Sequence, residues 1–103
     1  MKIAGFDWDA GNWPKCGKHG VSQTEIEQVV LGSPACVPDP YPSEPRQRAI
    51  GKTLSGRFVF LVFMLRVVDG QLKVRPISAR YMHATEVAHY EHQAQADTHI
   101  AQR

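Results

Sequence analysis

The stretch RFVFLVFMLRVVDGQLKVRPISARY, Arg57 to Tyr81, decides the fold. Phe58 to Leu65 is an unbroken apolar run rich in Val and Phe, with the length of a buried strand rather than a helix. Leu72, Val74 and Ile77 form a second, alternating run, and Asp69-Gly70 lies between the two. Asp-Gly flanked by apolar runs is a strong hairpin signal, because both central residues of a tight hairpin turn need positive φ. The hairpin carries Arg57, Arg66, Lys73, Arg75 and Arg80 against a single acid, Asp69. A sheet centre that holds so much positive charge is expected to meet a polyanion.

A two-residue turn at Asp69-Gly70 puts Arg66 opposite Lys73 and Val59 opposite Arg80. Arg66 and Arg75 then share a face that Arg80 does not. A bulge would shift that register and flip the far part of the second strand. Pro76 removes a ladder donor and favours an edge or an irregularity there.

The flanking chain supplies the rest of a single domain, residues 1–103, long enough for one core and too short for two. With 43% hydrophobic and 21% charged residues it has the composition of a soluble globular protein, and no apolar run is long enough to span a membrane. Asp7 and Asp9 interrupt any signal-peptide core near Lys2, so a cytoplasmic location is expected. Cys16 and Cys36 are not in a C-x-x-C pair and read as free thiols, with a Cys16–Cys36 disulfide as the alternative.

Ile3 to Trp8 reads as an initial strand. Asn12 can cap a short helix with Pro14 in its first turn, which would set Lys15, Lys18 and His19 on one face before Gly20. Ser22-x-x-Glu25 is a capping box, Val21 can staple onto Ile26, and Ile26, Val29 and Val30 make the buried stripe of a second helix. Ser33 to Pro45 holds five prolines and is an extended connection with a brief strand at Ala35 to Val37. Gln47 to Thr53 enters the sheet and Leu54-Ser55-Gly56 turns into the hairpin. From His83 to about Gln102 the period becomes helical, with His83, Val87, Tyr90, Ala94 and Ala101 on one side. The expected class is α+β, order β-α-α-β-β-β-α, with a largely antiparallel sheet and helices packed on one face.

The formal charge of +2 hides a division. Arg46 to Arg80 holds eight basic residues against Asp69, a balance of +7, and the remainder carries −5. Such asymmetry is the footprint expected of phosphate-backbone binding, and equally of a solvated basic surface paired with acids from elsewhere in the fold.

Phe6-Asp7-Trp8-Asp9, Lys18-His19-Gly20-Val21-Ser22, Arg46 with Ala49-Ile50-Gly51, the strand ending in Arg66, Ile77-Ser78-Ala79-Arg80, and then Glu86 and Tyr90 follow one another in a specific order and spacing. Together they resemble the BrnT-type toxins of bacterial type II toxin–antitoxin pairs. The resemblance implies a RelE-like fold and ribonuclease activity that arrests translation, on the ribosome or in solution. It also implies a BrnA-type antitoxin whose ribbon-helix-helix region binds operator DNA, so that DNA is reached only through that partner. The chain departs from the family pattern at Gln47 and Arg48, where Phe and Ile are common, at Ala10 in place of an acid, and at Pro14.

Metal-independent RNA cleavage needs an aligned 2′-OH, cations fixed at the non-bridging phosphate oxygens, and a proton for the leaving 5′-oxygen. Arginine suits the second task because its planar fork holds two phosphate oxygens. Arg66 and Arg80 are the candidates, helped by Arg46 or Arg48. His19 is the candidate acid or base, since an unperturbed imidazole titrates nearest neutrality. Lys15 and Lys18 would bind RNA phosphates or assist the leaving group, and Tyr81 could stack on a base. No cofactor or metal is expected, because Cys16, His19, Cys36 and His89 or His92 lack zinc-finger spacing. The rival expectation is a catalytically inactive binding module that serves as the antitoxin's partner in a DNA-bound repressor.

Overall fold

The computed structural model describes the backbone of residues 3–101 and the side chains of 3–93. Five strands form one sheet in the order β1-β5-β4-β3-β2: β1 Gly5–Phe6, β2 Ala35–Pro38, β3 Gln47–Lys52, β4 Phe58–Val68 and β5 Gln71–Tyr81. β1 pairs with β5 in parallel, and the other pairs are antiparallel. The helices are α1, Gln23–Leu31, and α2, Ala84–Ala101.

The β4–β5 hairpin is the longest element because its turn chemistry and apolar content agree. Asp69 (φ 52°) and Gly70 (φ 76°) are both left-handed, as a two-residue turn requires, and Val68 faces Gln71 while Arg66 faces Lys73. Beyond Val62 the ladder slips: Phe63 faces Pro76 but Val62 faces Ser78, so Ile77 has no opposite residue. The slip lies where Pro76 cannot donate. It moves Arg80 opposite Phe60 and Tyr81 opposite Val59. Arg80 therefore joins the face that carries Arg66 and Arg75, and the unbulged register is corrected.

The other face is the core. Ala49, Val59, Leu61, Phe63, Val74, Pro76 and Ala79 alternate inward and meet Val21, Ile26 and Val29. The Val, Leu, Ile and Phe side chains among them each contribute about 1.5–3 kcal/mol by leaving water. Ser22 caps α1 as its pattern predicts: its hydroxyl accepts from the Glu25 N–H while the Glu25 carboxylate accepts from the Ser22 N–H. At Gly51, β3 comes so close to α1 that a Cβ would meet Val29 Cγ1 at 3.1 Å.

Three expectations are corrected. The predicted first helix is a 3-10 turn, Lys15–Gly17, without a side-chain cap. Asn12 is instead buried, its Nδ2 donating to the Asp7 and Pro76 carbonyls while its Oδ1 accepts from the Asp9 N–H. A side chain fully engaged in holding a loop against β5 cannot start a helix. Second, the brief strand at Ala35 pairs fully with β3, so the order is β-α-β-β-β-β-α. Third, the helices do not share a face. α1 packs on the Leu61 side, whereas α2 meets the opposite side through an edge-on contact of Tyr90 with Phe58. Ala94 and Ala101 lie in α2 as expected, but their side chains, and Gln102 altogether, lie outside the described residues.

Candidate RNA-binding face

The bulge at Ile77 gathers the arginines onto one face without bringing them to one point. Arg66 and Phe60, the partner of Arg80, are six residues apart on β4, about 20 Å of strand. The face therefore has two ends.

At the turn end, Asp7 Oδ2 accepts from Arg66 Nη1 and from Arg75 Nη1, both at 3.1 Å. Arg75 also forks onto Asp9, Nη1 to Oδ2 and Nη2 to Oδ1, each at 3.0 Å. Asp7 and Arg75 are 16% and 18% exposed, whereas Arg66 and Asp9 are 53% and 52% exposed. The Arg75 fork and the Gly11 N–H hold the Asp9 carboxyl below the usual carboxylate range. Beside this network is a hollow of about 240 Å³, lined by Gly11, Asn12, Lys15, Glu44, Arg46, Met64, Arg75 and Ile77. Arg46 stacks on Tyr41 at 3.8 Å and pairs with Glu44 at 2.8 Å. Lys15 is exposed at the rim.

At the other end, Arg80 forks onto Glu86 with two bonds of 2.8 Å, and its guanidinium lies 5.0 Å from the Phe60 ring. Glu86 also accepts from the His83 N–H at the start of α2. These bonds pull the Glu86 carboxyl down to about 2, with Arg80 as the main cause. Arg48 pairs with Asp39 at 2.6 Å.

The sequence candidates divide accordingly. Lys15 and Arg46 line the hollow with Arg75, Arg66 is tied to Arg75 through Asp7 beside it, and Arg48 and Arg80 lie toward α2. His19 and Lys18 are exposed before α1. The Gly20 carbonyl next to His19 accepts from Tyr81 Oη at 3.3 Å, which puts His19 at the far end of β5 from Lys73. Thus His19, Arg66 and Arg80 are not brought together. Tyr81 donates to Glu25 at 2.6 Å, and the Arg57 guanidinium covers its ring at 3.4 Å. Arg75, Asp7 and Asp9 were not singled out from the sequence. The signal was present, since Arg75 was placed on the Arg66 face and Asp7-x-Asp9 repeats at strand spacing.

Cys16 is buried in the core and its thiol is pushed up to about 11 by desolvation; Cys36 is exposed on β2 and also raised. Both are free thiols. Among the described residues no three His, Cys, Asp or Glu side chains are grouped as a metal would need, and no helix is long and apolar enough to cross a membrane.

No curated protein and no solved structure matches the chain. The family described as the ribonuclease toxin BrnT of type II toxin–antitoxin systems matches residues 8–86, a span from Trp8 next to Asp7 through the sheet to Glu86. By that match the chain belongs to the BrnT family of ribonuclease toxins.

Proposed function

We propose that this chain is an endoribonuclease toxin that cuts RNA without a metal ion and is neutralised by a small BrnA-type ribbon-helix-helix antitoxin. The reading includes a RelE-like fold, arrest of translation in the cytoplasm, and contact with operator DNA only through the antitoxin. The observation that carries it is the hollow where Lys15, Arg46 and Arg75 converge beside Arg66, sized for a phosphodiester and open to solvent.

In that hollow the 2′-OH attacks the adjacent phosphorus, the P–O5′ bond breaks, and a 2′,3′-cyclic phosphate and a 5′-OH result. Arg75 and Arg66 offer N–H donors to the non-bridging oxygens as charge builds there. Lys15 supplies the proton for the leaving 5′-oxygen. Glu44, the carboxylate lining the hollow, takes the proton of the 2′-OH. His19, at the other end of β5, is assigned no step. Arg48, Arg80 and Lys18 extend the positive surface along which flanking phosphates lie.

A second reading is favoured by one specific observation. Arg46, Arg48, Arg66, Arg75 and Arg80 each already hold a carboxylate. A face so neutralised suits a catalytically idle module that only binds the antitoxin. Incubating the purified, partner-free chain with RNA in EDTA separates the two. Cleavage with a 5′-OH product supports the toxin reading; intact RNA beside folded, antitoxin-competent protein supports the idle module.

A further inference from the structure

Asp7 and Asp9 approach Arg75 from the same loop, yet they are built differently. Asp7 is largely buried, bridges Arg75 to Arg66 through one oxygen, and its own carbonyl is clamped by buried Asn12. Asp9 is half exposed and sits on Arg75 with both oxygens, the bidentate arrangement in which a guanidinium grips a phosphate. Its position is set by the Gly11 N–H at 2.7 Å and by its own N–H donating to Asn12. A Cβ on Gly11 would lie 2.9 Å from Arg75 Nη2 and 3.0 Å from Asp9 Oδ1, so the pair is packed against bare backbone at the wall of the hollow.

We infer that Asp9 is a built-in stand-in for the RNA phosphate, holding Arg75 until substrate displaces it, while Asp7 is the positioning residue that keeps Arg75 and Arg66 aimed after Asp9 leaves. This rests on the reading that Arg75 takes an RNA phosphate. The exchange trades one bidentate anion for another at Arg75, so the guanidinium is never left bare in a partly desolvated site. Asp7, bonded from behind and sheltered from solvent, stays in place. The acidic loop therefore acts as a competitor through one carboxylate and as a brace through the other.

The two roles predict opposite signs for the same change in charge. The full chain, freed of antitoxin, is titrated with a 2′-O-methyl RNA oligonucleotide, which lacks the nucleophile, at several salt concentrations. Asp9→Asn tightens binding about threefold, the scale of an exposed ion pair, and steepens the log Kd–log[salt] slope by about 0.7, because Arg75 now releases a counterion instead of Asp9. Asp7→Asn weakens binding about tenfold without steepening the slope, as removal of one partner of a sheltered pair does. Asp69→Asn, in the hairpin turn, controls for net charge, and its effect is smaller than that of Asp9→Asn. If Asp7→Asn does not fold, exposed Asp9 against Asp69 still decides the competitor role. Equal tightening by all the acid-to-amide variants, or no change with Asp9→Asn, overturns the inference. If Arg75→Ala binds as tightly as the wild type, the underlying reading fails and the inference falls with it.

Discussion

The two ends of the basic face use the same chemistry for different purposes. At the α2 end, Arg80 and Glu86 close a fork on each other, and Glu86 also accepts from the N–H of His83, the residue before the helix. That arrangement fastens a helix to a sheet. At the turn end, Arg75 is shared between two carboxylates, one sheltered and one open, beside a hollow with two further cations. That arrangement leaves room for an incoming anion. An arginine–carboxylate pair is therefore informative only through what else reaches it. By this criterion the proposed site is at Arg75 rather than at Arg80.

The largest expected effect breaks the contrast outright. Inserting one alanine between Ser78 and Ala79 shifts the end of β5 by one residue, turns Arg80 to the α1 side of the sheet and moves Tyr81 off it. Cooperative unfolding by urea should be lost; a variant that still unfolds cooperatively with α2 in place would contradict the register. Tyr81→Phe sharpens the contrast from the α1 side. It removes the bond to Glu25 and should cost about 1 kcal/mol of stability, read by urea denaturation, with RNA affinity unchanged. A loss of affinity would instead mean that the Tyr81 hydroxyl reaches the RNA. Lys15→Ala should weaken RNA binding about threefold and lower the salt slope by about 0.7, for any RNA sequence.

The smallest effect is in the acid range. The folded-state carboxyl of Glu86 is depressed from 4.5 to about 2, so its contribution is complete above pH 4.5 and lost as pH falls from there toward 2. Over that window the thermal midpoint of the wild type should fall toward that of Arg80→Ala, by a few degrees. Parallel melting curves for the two proteins would mean that the fork contributes nothing.

Local chemistry was legible in the sequence. Ser22 and Glu25 form their reciprocal cap and Asp69-Gly70 turns in two residues, because each depends on residues close in the chain, and Ala35 to Val37 lies in a strand as its extended, proline-flanked sequence suggests. What was not legible depends on distant partners. Asn12 was read as a helix cap because Pro14 follows it. Its true partners include the Pro76 carbonyl, 64 residues away. Asp7 and Asp9 find Arg66 and Arg75 only because β1 lies parallel beside β5, a pairing that a two-residue strand does not announce. The slip beside Pro76 was foreseeable as an irregularity but not in its size. One unpaired residue decided which face Arg80 occupies.

The most direct measurement compares two single variants of the partner-free chain on the same RNA in EDTA. Arg75→Ala should lose about a hundredfold or more of the cleavage rate while remaining folded, the scale seen when one transition-state donor is removed. Arg80→Ala should keep the rate within a few fold at a temperature where it is folded. Equal loss in both variants, or greater loss in Arg80→Ala, would contradict the assignment of the site to the hollow at Arg75.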